Sequence, residues 1–338
     1  MLLRTNLWAK FRAFTLVSLT CVLTGCVAQD SGESSDETAS NEVKTTESIS
    51  NETIIKSGAL SGLHINAGAG SPIMLIIPGS GPTDLNGNNA LGVKANTYKL
   101  LAEALAEQGI STVRVDKRGM FSSDAAGDPN TVTLEIYAKD YSNWVNTIRD
   151  KTGAECVYVL GHSEGALMAS ATANINQHIC GIILVSGAGR TFGDTLREQL
   201  KANPANFFIL KEAFAAIDQL EAGERVETKG MHEALTPLFA GPVQDFLISI
   251  ITVDPSKVAA QADTKTLIVH GETDIQTSVA DAELLANATG GELVLVEGIN
   301  HVLKSAPFNR RKNIKTYSDP DLPISAEVVD AISIFVKR

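Results

Sequence analysis

Cys156-Val157-Tyr158-Val159-Leu160-Gly161-His162-Ser163-Glu164-Gly165 is the stretch on which the reading of this chain turns. Its first half is short, apolar and β-branched, the composition of a strand buried in a parallel sheet. Ala166-Leu167-Met168-Ala169-Ser170-Ala171-Thr172-Ala173 follows, a run of small residues suited to a helix. Between them stands Gly-x-Ser-x-Gly, which places Ser163 in a sharp strand-to-helix turn with its hydroxyl exposed. Both flanking elements crowd that turn, and two residues without Cβ let them pass closely. A Gly/Ser-rich loop without chemical meaning has the same spelling but not these flanks.

Working outward, apolar runs at 73–77, 110–115, 181–186, 266–270 and 292–297 read as strands, and 54–67 as a strand pair around Ser57-Gly58. Helical patterns at 97–107, 137–151, 279–288 and from 325 onward lie between or after them. Strands alternating with helices imply an α/β fold: a parallel sheet with right-handed crossovers and reactive groups at the strands' carboxyl ends. Residues 187–263 break the alternation with three helical patterns, at 195–201, 206–220 and 232–251. Phe207, Phe208, Leu210, Phe214, Leu238, Phe239 and Phe246 recur there, which suggests a helical lid or extra packing at the sheet edge.

A serine hydroxyl needs an adjacent base to become a nucleophile at neutral pH. Of the six histidines, His64 falls in the first strands, His162 inside the turn, His178 at a helix end and His232 in the lid. His270 ends a strand and packs beside its loop. His301 remains, just beyond strand 292–297, on the rim that carries Ser163. Its partner acid is Asp274, in His270-Gly271-Glu272-Thr273-Asp274, with Glu272 as the rival. The order Ser163, Asp274, His301 is one that a known class of hydrolytic triad follows. A tetrahedral intermediate would need two N–H donors. The backbone of Glu164 supplies one, and Pro78-Gly79-Ser80-Gly81-Pro82 the other, with Ser80 first choice, Gly81 second and Pro82 unable to donate. This Gly-rich loop lacks the Lys-Ser/Thr pair of a nucleotide-binding loop.

The whole chain sets further bounds. Its 338 residues, 44% hydrophobic and 20% charged, suit one globular core with an insertion. A net charge of −11 with no basic cluster argues against a nucleic-acid partner. Residues 1–25 read as a signal peptide: Arg4, Lys10 and Arg12 precede an apolar run too short to span a bilayer. Leu23-Thr24-Gly25-Cys26 resembles the bacterial lipobox, so Cys26 is the expected acylation site and the membrane a partner through that anchor; Cys21, preceded by Thr20, fits less well. Val27 rather than Asp follows it, which suggests outer-membrane sorting in the cell envelope. Residues 26–52 are almost free of large apolar side chains and read as a disordered tether. Without the three signal-peptide cations the charge is −14, of which about −6 belongs to the tether, leaving a mildly acidic domain over 53–338. Cys156 and Cys180 precede neighbouring parallel strands, within bridging distance; a disulfide and two buried thiols both fit.

Six motifs together span 78–301: PGSGPTDLNGN from Pro78, DKRG from Asp116, GHSEG, SGAGR from Ser186, HGETD and INH ending at His301. On these the domain resembles the α/β-hydrolase superfamily, and within it bacterial esterases and serine-aminopeptidase-like hydrolases with an N-terminal strand extension. The resemblance implies an eight-stranded, mostly parallel sheet, a helical cap after the sixth strand, no cofactor and hydrolysis through an acyl-enzyme. No metal ligand is assigned. Pro78 departs from the His that many relatives carry, and Leu85 from Arg, which bears on the mouth of the acyl pocket. The leading expectation is a carboxylic ester hydrolase taking a small-molecule ester with a short or medium acyl group. A peptidase acting at a free N-terminus would need an acid to hold the amine, and Glu212, Glu221 and Glu224 look like solvated helix-face charges. A binding lipoprotein that kept the fold without its chemistry is the reading from another class.

Overall fold

The computed structural model describes residues 52–338; the expected signal peptide, Cys26 and most of the tether lie outside the described residues. In chain order, an antiparallel hairpin of β1 (Glu52–Ser57) and β2 (Leu60–Ile65) leads to β3 (Ile73–Ile77), α1 (Thr97–Glu107), β4 (Ser111–Val115) and α2 (Leu134–Thr152). Then come β5 (Val157–His162), α3 (Glu164–Ala173) and β6 (Ile179–Val185). The insertion carries α4 (Phe192–Lys201), α5 (Leu210–Glu221), α6 (Gln244–Ile250) and α7 (Pro255–Ala260). The chain returns through β7 (Thr266–Gly271), α8 (Val279–Thr289), β8 (Glu292–Val296), α9 (Arg310–Lys315) and α10 (Ala326–Lys337).

The eight strands form one sheet in the order β1-β2-β4-β3-β5-β6-β7-β8, antiparallel as far as the β2–β4 pair and parallel from there on. Period-two alternation divides the core. Ile73, Leu75 and Ile77 of β3 pack with Trp144, Val145 and Ile148 of α2 and with α3, whereas Met74 and Ile76 meet Leu101 and Leu105 of α1 and Ile332 of α10. Both faces are therefore covered, which is why β3 is apolar at every position. Because β3, β5, β7 and β8 run parallel, the loops that leave them open on one rim. Glu52, the last residue of the expected tether, already pairs with Ile65 in the sheet and with the buried Arg114 guanidinium.

The insertion holds a hydrophobic cluster of its own, with Leu200, Ile217, Leu220, Leu238, Phe239 and Leu247 at its centre. Its helices differ from the expected ones. The pattern 232–251 condenses into α6 alone, because Pro237 and Pro242 lack the N–H that a continuous helix needs. Phe207 and Phe208, two of the apolar residues that recur in the insertion, are 72% and 89% exposed on the turn between α4 and α5. Cys156, just ahead of β5, and Cys180, the second residue of β6, are joined in a disulfide with Cα atoms 5.3 Å apart.

Candidate active site

Ser163 lies between β5 and α3 at φ 57° and ψ −122°, a strained conformation for a residue with a Cβ. The strain is imposed by its neighbours. A Cβ on Gly161 would lie 2.0 Å from the Gly165 carbonyl oxygen, and one on Gly165 would lie 2.6 Å from that of Ile77. Strand and helix thus pass at a distance only glycine permits, and the turn lifts the hydroxyl off the sheet edge.

His301 follows β8, and Asp274 follows β7. His301 Nδ1 donates to Asp274 Oδ2 at 2.7 Å, with both side chains at most 5% exposed. The Asp274 carboxylate also accepts from the Gln276 N–H at 2.7 Å, the Thr277 N–H at 3.1 Å and the Thr277 hydroxyl at 3.1 Å. Burial alone would raise this carboxyl; the charge and hydrogen bond of His301, the charge of His270 and the Gln276 amide outweigh it and hold the pKa at about 2. An ionised Asp274 keeps the proton on Nδ1 and leaves His301 Nε2 as the basic atom. Glu272 is exposed, and among the described residues its side chain makes no hydrogen bond to His301. Asn300 pins the His301 loop by donating to Asn313 Oδ1 at 3.1 Å and to the Thr316 hydroxyl at 2.7 Å. Among the described residues no hydrogen bond joins Ser163 Oγ to His301.

His162, set aside in the sequence, turns out to connect these parts. Its Nε2 lies 2.8 Å from the His301 carbonyl oxygen, which can only accept, so the proton sits on Nε2. Nδ1 must then accept, and the Tyr98 hydroxyl donates to it at 2.9 Å. Tyr98 Oη in turn accepts the Gly79 N–H at 2.8 Å. The loop after β3 and the His301 loop are thereby tied together through the residue beside Ser163. Burial, reinforced by the neighbouring His301, pushes the His162 pKa down to about 3, in keeping with a neutral ring. No sequence period signals this relay, whose partners lie 19, 64 and 139 residues apart.

A cavity of about 140 Å³ opens above these groups, and Ser163, His301, Ser80 and Glu164 all line it. Phe192, Leu196, Leu238 and Ile250 of the insertion form its apolar wall. Glu212, Glu221 and Glu224 are absent from that lining; Glu221 instead pairs with Arg197.

Residues 90–230 match the family described as serine aminopeptidase, S33. The esterase EstD of Thermotoga maritima is 23% identical over 279 residues, which are 79% of this chain; the chain spans 64% of the length of that curated relative. Among solved structures, Est1E from Butyrivibrio proteoclasticus superposes with a TM-score of 0.51 at 15% identity, covering 85% of this chain and 99% of that one. The Pyrococcus furiosus esterase Pf2001 gives a TM-score of 0.54 at 16% identity over 90% of this chain and 96% of that one. What is shared at such identities is architecture: this chain has the α/β-hydrolase fold.

Proposed function

We propose that this protein is a serine esterase that cleaves carboxylic esters with short acyl groups. The observation that carries the reading is the strained Ser163 turn sharing one cavity with the buried His301–Asp274 pair. In this reading His301 Nε2 takes the Ser163 proton as the hydroxyl attacks the ester carbonyl. The oxyanion is held by the N–H groups of Glu164, at the start of α3, and of Ser80. Collapse expels the alcohol, which receives the proton from His301, and leaves an acyl-enzyme that water hydrolyses by the same steps. A cavity of about 140 Å³ is well below the roughly 300–1,000 Å³ of sites for drug-sized ligands, which favours small acyl groups. The relatives named esterases support the ester bond as target.

A peptidase acting at a free N-terminus is the second reading, favoured by the serine aminopeptidase match over 90–230. The acid available to hold an amine in the cavity is then Glu164, whose carboxyl burial pushes up while the Lys117 ammonium favours its charged form. Hydrolysis of p-nitrophenyl acetate and butyrate, with aminoacyl-naphthylamides in parallel and Ser163→Ala as control, separates the two. Equal ester turnover by the wild type and Ser163→Ala would remove the assignment. We further propose a lipid anchor at Cys26, which would hold the domain in the cell envelope. The lipobox pattern supports this, as does the Cys156–Cys180 disulfide, a bond suited to an oxidising compartment. Cys26→Ser should release the protein from membranes; persistence of the variant in the membrane fraction counts against the anchor.

A further inference from the structure

Lys117, in the loop after β4, is 4% exposed, and among the described residues no carboxylate lies within ion-pairing distance of its ammonium. A buried cation is costly without a partner, and the partner here is a peptide: Lys117 Nζ donates to the Gly79 carbonyl oxygen at 2.6 Å. That peptide is the link between Gly79 and Ser80. The described chain has no cis bonds, and in a trans peptide the C=O and N–H point in opposite directions. Drawing the Gly79 oxygen toward Lys117 therefore turns the Ser80 N–H the other way. The loop lies directly against the nucleophile, since a Cβ on Gly79 would come 3.1 Å from Ser163 Cβ. The loop is held on either side as well, by Tyr98 on the Gly79 N–H and by the Thr83 hydroxyl on the Ser80 carbonyl at 2.9 Å.

We propose that Lys117 is a positioning residue for the reaction: its ammonium grips the Gly79 carbonyl and so aims and polarises the Ser80 N–H of the oxyanion hole before substrate arrives. The proposal rests on the reading of Ser163 as nucleophile. Glu164, the residue after it, lies beyond ion-pairing distance but favours the charged lysine: burial lowers the Lys117 pKa and the Glu164 carboxylate opposes that fall. A lysine whose only role was to satisfy a core carbonyl would be replaceable by a neutral donor. One that holds the oxyanion donor in place should act on the transition state more than on bound substrate.

The test is steady-state hydrolysis of p-nitrophenyl acetate by the wild type, Lys117→Met and Lys117→Gln, with a trifluoromethyl ketone as tetrahedral mimic. Circular dichroism and melting curves establish folding. Lys117→Met should lower kcat about a hundredfold, the scale of losing one oxyanion donor, with KM within about threefold of wild type. Its affinity for the ketone should fall in parallel with kcat/KM. Lys117→Gln keeps an N–H for Gly79 without the charge, so its kcat should fall by about tenfold with the same unchanged KM; it carries the test if the methionine variant does not fold. A folded variant with wild-type kcat, or a loss confined to KM, overturns the proposal. If the wild type itself is inert and Ser163 resists a fluorophosphonate probe, the esterase reading falls and this proposal with it.

Discussion

Lowering the pH from about 7.5 to 5 asks the unfolded chain to accept a proton that the folded chain refuses at His162. The ring is buried, its Nε2–H committed to the His301 carbonyl and its Nδ1 to the Tyr98 hydroxyl. Protonation would give Nδ1 a hydrogen pointing at a donor, and would place a charge beside His301. The folded pKa accordingly falls to about 3 from an ordinary 6.5. Where a folded pKa lies below the unfolded one, the unfolded state binds more protons between the two values, so stability is full above 6.5 and declines as the pH falls toward 3. Each unit in that window costs about 1.4 kcal/mol, so near pH 5 this one residue removes about 2 kcal/mol.

Urea unfolding at several pH values between about 7.5 and 4.5 measures the slope directly. His64 and His270 also have pKa values lowered by burial, so the wild-type slope alone does not isolate His162. His162→Gln does, because Gln offers a donor and an acceptor at similar reach without titrating. The variant should be less stable near pH 7.5, and its stability should decline with acid more gently than the wild type's by about 1.4 kcal/mol per pH unit, one proton's worth. Parallel slopes for the two proteins would refute the assigned tautomer and the neutral relay built on it.

Three other outcomes follow from the geometry. Asp274→Asn should lower kcat toward p-nitrophenyl acetate by about ten-thousandfold, because an amide can leave His301 in the wrong tautomer; Glu272→Gln should leave kcat unchanged, and the reverse pattern would move the acid role to Glu272. Gly161→Ala sets a Cβ 2.0 Å from the Gly165 carbonyl oxygen and should cost at least about 3 kcal/mol in denaturant unfolding; a loss below about 1 kcal/mol would mean that the turn can open. Replacing Cys156 and Cys180 together by Ser frees a loop with a sequence separation of 24 and should cost about 3 kcal/mol; unchanged urea midpoints would show that the bridge constrains nothing.

What the sequence made legible and what it hid differ by range of interaction. The sheet could be read because each parallel strand is covered on both faces, so β3 is apolar at every position and stands out without its neighbours. The Ser163 turn could be read because its requirement, two missing Cβ atoms, is spelled within five residues. The sequence reading prefers Asp274 to Glu272, two residues apart, but what separates them is not written locally. It depends on which carboxylate the Gln276 and Thr277 amides and the His301 ring can reach in space. The insertion was misjudged in detail because Pro237 and Pro242 interrupt an amphipathic pattern that, by apolar spacing alone, continues. Lys117 lies in the DKRG motif, yet its acceptor is a carbonyl 38 residues away. No local pattern encodes such a contact.

The division between rim and insertion bears on how the site can be selective. Ser163, Asp274 and His301 sit on loops fixed by the sheet; the relay from Gly79 through Tyr98 and His162 ties the Ser163 turn to the His301 loop, and the His301–Asp274 bond ties in the third. Few substitutions there would leave the others in place. The apolar wall comes instead from Phe192, Leu196, Leu238 and Ile250 of α4 to α6 and their connections, and the insertion packs largely on a cluster of its own. Its shape can therefore change without moving the strand ends. Under the esterase reading, the bond cleaved is a property of the rim, and the size of the acyl group admitted is a property of the insertion. Proteins of this fold can then differ in substrate, because the part that measures the substrate is not the part that defines the fold.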